Sequence, residues 1–141
     1  MRTIKFRAKV KMPEKRNFAR QEYVPEGQWV YGEPHTIDCP TPHIHTVDVG
    51  KQPIDKETIC QFTGMFCEGK EIYEGDIIHC AIGHSPNIFE ITGVVEYHTC
   101  AFVMHYKHHN QDAYTWLDAL IGADIIGNIH DNPELMKGGA Q

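Results

Sequence analysis

Ten histidines and five cysteines in 141 residues are the side chains best able to do chemistry in this chain. His43-x-His45 lies in a stretch from Pro34 to Pro53 that also carries His35, Asp38 and Cys39. Alternate side chains of an extended chain share a face, so His43 and His45 point the same way if this stretch is extended. Imidazole, thiolate and carboxylate are the ligands zinc takes, and His35, Asp38 or Cys39 could add a third. The spacing matches no established zinc signature, however, and histidine pairs are common in polar loops. No metal ligand is assigned on this basis, and no cofactor is expected. His105, His108 and His109 form a second histidine-rich stretch, which reads as a solvated loop after a strand. With ten histidines, the formal net charge of −6 changes substantially near about pH 6.

The cysteines, Cys39, Cys60, Cys67, Cys80 and Cys100, are odd in number and show no C-x-x-C spacing. That pattern favours buried or half-buried thiols over a disulfide framework or a metal knuckle. Cys67 sits between two turn signals and is the candidate for an exposed thiol, although the neighbouring Glu68 opposes thiolate formation. Glu71, Glu74 and Asp76 cluster in sequence, and paired carboxylates can do acid–base work. Three on the rim of a turn read better as a solvated surface. Neither G-x-S-x-G, a P-loop nor H-E-x-x-H is present. Gly64, Gly69 and Gly75 precede no helix and so make no dinucleotide fingerprint. No catalytic or cofactor-binding residue is assigned, and the chain is not expected to be an enzyme.

The elements that must position these groups read as mainly β. Residues 2 to 11 alternate, with Ile4, Phe6, Ala8 and Val10 on one face and Thr3, Lys5, Arg7, Lys9 and Lys11 on the other. The cations suit a solvated strand face that resists edge pairing, and an anion-binding stripe is the functional alternative. Glu14 to Arg20 reads as loop or a short turn. Gly27 to Gly32 signals a second strand, whose Trp29 and Tyr31 share a face. Such a pair can stack a nucleobase, but more often packs in a core. The four prolines between Pro34 and Pro53 make that stretch a long loop or an edge ribbon.

Gln61 to Ile78 is the densest run of strand and turn signals. Thr63-Gly64, Glu68-Gly69-Lys70 and Gly75-Asp76 are its expected turns, separating short strands around 59–62, 71–73 and 77–81. Strands over Thr92–His98 and Ala101–Tyr106 follow, joined by Thr99-Cys100. Asp112 to Ile121 carries Ala113, Trp116, Leu117 and Leu120 at helical spacing and is the expected helix, with Gly122 as its stop. Asp124–Ile129 closes as a strand, Asn132-Pro133 opens a final turn, and Lys137–Gln141 should fray. The expected architecture is an N-terminal β subdomain (1–68), an SH3-like small barrel with one short helix (69–136) and a tail (137–141). No apolar run approaches the ~20 residues of a membrane-spanning helix, and no apolar leader follows the basic start, so a cytosolic protein is expected.

Six blocks, taken in order, carry a resemblance. They are Ile4-Lys5-Phe6-Arg7-Ala8, Trp29-Val30-Tyr31-Gly32, Gln61-Phe62-Thr63-Gly64, then Gly69-Lys70-Glu71-Ile72-Tyr73-Glu74-Gly75-Asp76-Ile77, Gly93-Val94-Val95-Glu96-Tyr97, and Ile126-Gly127-Asn128-Ile129-His130-Asp131-Asn132-Pro133-Glu134-Leu135. Together they resemble the YopX family of phage and prophage proteins over nearly the whole chain. The resemblance implies a mainly β fold with an SH3-like barrel, in a phage or prophage setting. It carries over no catalytic or binding residue. Met65-Phe66-Cys67-Glu68 is shorter and more apolar than the family's charged turn, and the Pro34–Pro53 stretch is unusually rich in His and Cys.

Three functions compete. The first is a non-enzymatic accessory module that binds a protein partner or itself, motivated by the apolar Met65 and Phe66 and the missing catalytic set. The second is a nucleic-acid-binding barrel using Arg2, Lys5, Arg7, Lys9 and Lys11, against which the acidic total counts. The third is a metal-dependent protein using His35, Cys39, His43 and His45. They rank in that order.

Overall fold

A computed structural model of the chain describes residues 4–12, 24–35 and 42–137. The loop expected at Glu14–Arg20 and the frayed end beyond Lys137 lie outside the described residues, as do Arg2, Thr3, Asp38 and Cys39. The chain forms two compact units, 1–62 and 63–141. It is mainly β, as expected, and is built from two antiparallel sheets.

In the first unit, β1 (Phe6–Lys9) pairs with β2 (Trp29–His35), so that Ala8 faces Val30. The alternation expected over residues 2 to 11 holds in part over the described residues: Ala8 and Val10 are buried and Phe6 half-buried, but Ile4 is exposed and Arg7, on the opposite face, is buried. β2 pairs with β3 (His43–Thr46), and β3 with β4 (Gly50–Pro53). The proline-rich stretch is therefore an edge ribbon, one of its two expected forms. Ile44 is fully buried and joins Ala8, Val10, Val30 and Ile54 in the core of this unit. Thr46 Oγ1 closes the β3–β4 turn, accepting from the Val49 N–H and donating to the Gly50 carbonyl. Gln52 is fully buried, donates to the Val49 carbonyl and accepts from the Val24 N–H, which satisfies a side chain that would be costly to bury alone. Asp55 caps a single 3-10 turn, Lys56–Thr58, before β5 (Cys60–Cys67).

β5 corrects one expectation. It runs straight through Thr63-Gly64, which the sequence presents as a turn. Gly64 adopts φ +87, but the Thr63 hydroxyl accepts from the Met65 N–H and donates to the Ile72 carbonyl, so the irregularity stays within a strand. Met65 and Phe66 are strand residues, not turn residues. The turns at Glu68-Gly69 and Gly75 are as expected, each with positive φ, and they bound β6 (Lys70–Tyr73) and start β7 (Asp76–His84).

β7, β8 (Asn87–His98), β9 (Ala101–His108), β10 (Gln111–Trp116) and β11 (Ile121–Asn128) form a sheet in the order β10-β9-β8-β7-β11. β10 and β11 are its two edges, so the strands do not close into the expected small barrel. Ile78, Cys80, Ile91, Val95, Met104 and Tyr106 point to one side and make the core of the second unit.

The expected helix at Asp112–Ile121 is absent. Two left-handed residues, His109 and Asn110, make the tight turn that folds β10 back along β9. Ala113 and Thr115 then alternate with the exposed Asp112, Tyr114 and Trp116, and the Tyr-Thr-Trp run suits a strand. Of the apparent helical stripe, Leu117 is buried in the 3-10 turn Leu117–Ala119, Ala113 and Leu120 pack against the same core from extended positions, and Trp116 is exposed. Gly122, at φ +59, lies inside β11, where the register against β7 shifts. Among the described residues the sole α-helix is α1 (Glu134–Lys137), and no helix is long and apolar enough to cross a membrane.

Candidate functional site

The two longest recognisable blocks of the sequence turn out to be backbone locks. Asp76 is 2% exposed, and its Oδ2 accepts from the Tyr73 N–H at 2.8 Å, while the Tyr73 hydroxyl donates to Glu71 at 3.0 Å. Two of the three clustered carboxylates are thus spent on one turn, not on acid–base chemistry or a solvated rim. Asn128 Oδ1 accepts from the N–H groups of His130 and Asp131, and Asn132 Oδ1 accepts from the Asn128 N–H. A Cβ at Gly127 would collide with the Asn132 side chain, so that glycine is required by space. The blocks meet where the Ile129 N–H donates to the Gly75 carbonyl at 2.9 Å.

The cationic face of β1 is not a freely solvated stripe. Arg7 is 7% exposed, and its guanidinium lies 4.5 Å from the centroid of the Trp29 ring. Lys9 approaches the same ring at 5.5 Å, and Lys5 lies 5.5 Å from Phe62. Trp29 is therefore a platform for cations of its own sheet, an arrangement worth ~1–2 kcal/mol when desolvated.

Cys67 is buried, not exposed. Its thiol donates to the Ala123 carbonyl at 2.8 Å, and burial first, then the charge of Glu68, push its pKa up. Cys80 is pushed up to about 11, chiefly by burial. Neither is a poised nucleophile. Among the described cysteines, all free, Cys100 alone is exposed.

His105 lies in the middle of β9, not in a loop. Its Nδ1 meets Glu96 Oε2 and its Nε2 meets Asp112 Oδ1, both at 2.8 Å. Lys107 Nζ shares Asp112 Oδ1 at 2.8 Å, and His98 Nε2 lies 2.9 Å from Glu96 Oε1. The Tyr114 ring stacks on His105 with centroids 4.7 Å apart. Partial burial pulls the His105 pKa down, but hydrogen bonds to Glu96 and Asp112 outweigh it and the net shift is upward. With both ring nitrogens on carboxylates, His105 has none to offer a substrate. It ties β8, β9 and β10 together. Sequence reasoning missed this network because Asp112 was placed on a helix. The signal was period-2 alternation in Asp112, Tyr114 and Trp116.

At the end of β10, Trp116 is 63% exposed and lines a cleft of about 540 Å³ with Met65, Phe102, Leu117 and Asp118. Of the apolar pair singled out in the sequence, Met65 reaches this cleft, and Phe66 is 60% exposed.

The histidines of the first unit are brought together by strand pairing. Glu33 stands opposite His45, and His35 opposite His43, across the β2–β3 pair. Because Ile44 points into the core, the imidazoles of His43 and His45 lie on the other face with His35 and Glu33. Ring centroids are 4.1 Å apart for His35 and His45, 5.6 Å for His43 and His45, and 6.3 Å for His35 and His43. Glu33 Oε2 is 4.0 Å from His35 Nε2. Among the described residues no group of three or more His, Cys, Asp or Glu side chains is arranged to hold a metal ion.

Residues 5–137 match the family model described as YopX protein. No curated protein matches the chain.

Proposed function

The chain belongs to the YopX family, and from that premise we propose that it is a non-enzymatic protein-binding module, a phage- or prophage-derived accessory protein acting in the bacterial cytoplasm. Its docking element is the open edge of β10, which accepts an extended segment of a partner as an added strand. Main-chain hydrogen bonds give such a complex its affinity, and a pocket for one side chain gives it specificity. The observation that carries this reading is Trp116, a large aromatic left 63% exposed beside the cleft formed with Met65, Phe102 and Leu117. Aromatic anchors of this kind dominate binding energy at interfaces. Asp118 forms the polar wall of the cleft, and the chain carries a net charge of −6. The partner segment is therefore one that alternates basic and apolar residues, drawn in by opposite charge.

Nucleic-acid binding is less well supported. The cations of β1 are engaged with Trp29 and Phe62, and the acidic total opposes a phosphate backbone. The test is selection from a library of extended peptides displayed without other fold. Enriched sequences should alternate basic and apolar residues. Trp116→Ala should weaken the selected peptides by at least about 2 kcal/mol, the scale of an interface anchor. Peptides that bind Trp116→Ala as tightly as the parent protein would remove the reading, as would a selection that enriches nothing.

A further inference from the structure

The β10 edge offered to a partner is joined to the histidine–carboxylate network of the same sheet. Among the described residues β10 has β9 on one side and no strand on the other. The two-residue turn His109-Asn110 makes His108 and Gln111 the closing pair of the hairpin. A closing pair of this kind exchanges its N–H and C=O groups, and bonded and non-bonded pairs alternate from there. Gln111, Ala113 and Thr115 therefore bond to β9, and Asp112, Tyr114 and Trp116 turn their main-chain groups to the open edge. Residues opposite them in an added strand share their face of the sheet. The basic residues of an alternating partner segment stand on that face, beside Asp112 and Tyr114, and its apolar residues lie beside Ala113 and Thr115.

Asp112 is already engaged. His105 Nε2 and Lys107 Nζ both lie 2.8 Å from its Oδ1. The other ring nitrogen of His105, Nδ1, meets Glu96 Oε2 at 2.8 Å, and Glu96 Oε1 faces His98 Nε2 at 2.9 Å. The Tyr114 ring stacks on His105 and tilts against His98 with centroids 4.8 Å apart. His105 is thus faced by Glu96 and His98 from β8, by Asp112 and Tyr114 from β10, and by Lys107 of its own strand. A neutral imidazole has one N–H and donates to one carboxylate, whereas the protonated ring donates to both. Partial burial lowers the His105 pKa, the hydrogen bonds to Glu96 and Asp112 raise it, and the net value lies above the ordinary 6.5. Of the side chains in this network, only the histidines ordinarily change charge between about pH 5 and 8.

We propose that His105 is a proton-operated gate on the β10 docking edge: protonated, it holds Asp112 and repels the basic residues of a partner strand, and on losing its proton it yields Asp112 to them. This gate presupposes the docking edge read above and sets when that edge accepts a partner. Residues 63–141 hold three Lys or Arg against eleven Asp or Glu, whereas residues 1–62 hold ten against eight. A basic segment is drawn to the acidic unit by its field, and the charge on His105 acts at the spot where the segment docks. Binding and protonation are linked. Affinity rises as pH climbs through the folded His105 value, and a bound basic segment lowers that value by the same factor.

The probe is a labelled synthetic peptide with blocked ends that alternates arginine and valine, so that nothing in it titrates near neutrality. The same peptide with glutamate for arginine is the control and should not bind. Affinity of the arginine peptide for the full chain should rise about tenfold between about pH 5.5 and 8.5. NMR of wild-type His105 should show its titration midpoint about one unit lower with the peptide bound, the equivalent of that tenfold change. His105→Gln should bind more tightly than wild type at the acid end and lose most of the pH dependence. A merely structural His105 predicts weaker binding at every pH instead. His98→Gln should keep the dependence. Trp116→Ala should weaken binding yet keep its ratio between the two pH values, which separates the anchor from the gate. A peptide that binds equally well at both pH values, or a His105 midpoint unmoved by bound peptide, overturns the gate and leaves the docking edge standing. A peptide that binds at neither pH overturns both. The NMR measurement needs no variant, so a misfolded His105→Gln does not shield the gate from refutation.

Discussion

The two histidine surfaces of this molecule look alike in composition and differ in what their neighbours supply. On β8–β10, His105 has a carboxylate at each ring nitrogen, and Tyr114 covers its face. On β2–β3, the rings of His35, His43 and His45 lie against one another, and Glu33 lies 4.0 Å from His35. The first arrangement consumes the chemistry of the histidine in tying strands together. The second packs imidazoles against one another on one face of a paired ribbon. The partners of a histidine, more than its presence, decide what it does in a fold.

The strongest way to break the comparison is to remove the support under each surface. Ile44→Ala beneath the β3 histidines and Met104→Ala beneath β9 should each cost about 2–5 kcal/mol, read by chemical denaturation. Met104 lies against Cys80, whose thiol points at its sulfur at 4.0 Å. Met104→Ala should therefore speed alkylation of Cys80 under native conditions, with Cys100 remaining the faster of the two.

A smaller effect should follow from His105→Gln, about 1 kcal/mol where the imidazole is charged. The sign follows from the direction of the shift. The His105 pKa is raised above its ordinary 6.5 in the folded chain, so its contribution is complete below that pH and is lost as pH rises through the folded value. The stability gap between wild type and His105→Gln should accordingly be widest at mildly acid pH and narrow towards alkaline pH. A gap independent of pH would mean that the Glu96 and Asp112 contacts do not form in solution.

Asp112→Asn should have the smallest effect. Hydrogen bonds from Lys107 and then His105 lower the Asp112 pKa below its ordinary 3.8, so its contribution is present above that pH and fades as pH falls through the lowered value. Asp112 is solvent-exposed, and added salt should erase the difference between Asp112→Asn and wild type. The same substitution should lower the titration midpoint of His105 measured by NMR, because one of its two carboxylate partners is gone.

Much of the β architecture was legible in the chain. Alternation placed Ala8 and Val10 inward, and glycines at 69 and 75 marked turns that only a residue tolerant of positive φ makes cheaply. The failures share a cause. Ala113, Trp116, Leu117 and Leu120 fit a helical stripe, yet the left-handed pair His109-Asn110 had already turned the chain into a hairpin. Thr63-Gly64 resembled a reversal, but the Thr63 hydroxyl bonds across to Ile72 and keeps the strand going. Local patterns compete, and the ladder with the neighbouring strand decides between them.

Read alone, the residues establish that the chain is mainly β, that its recognisable blocks resemble the YopX family, and that His43 and His45 share one side if their segment is extended. Period-2 geometry makes that last point independent of any partner. Only the tertiary structure decided that His35 and Glu33 stand opposite them, that Arg7 is buried against Trp29, and that Trp116 edges a cleft. Each of these depends on strand register between residues far apart in the chain. Register is set by which faces can be buried together, and no single segment holds that information.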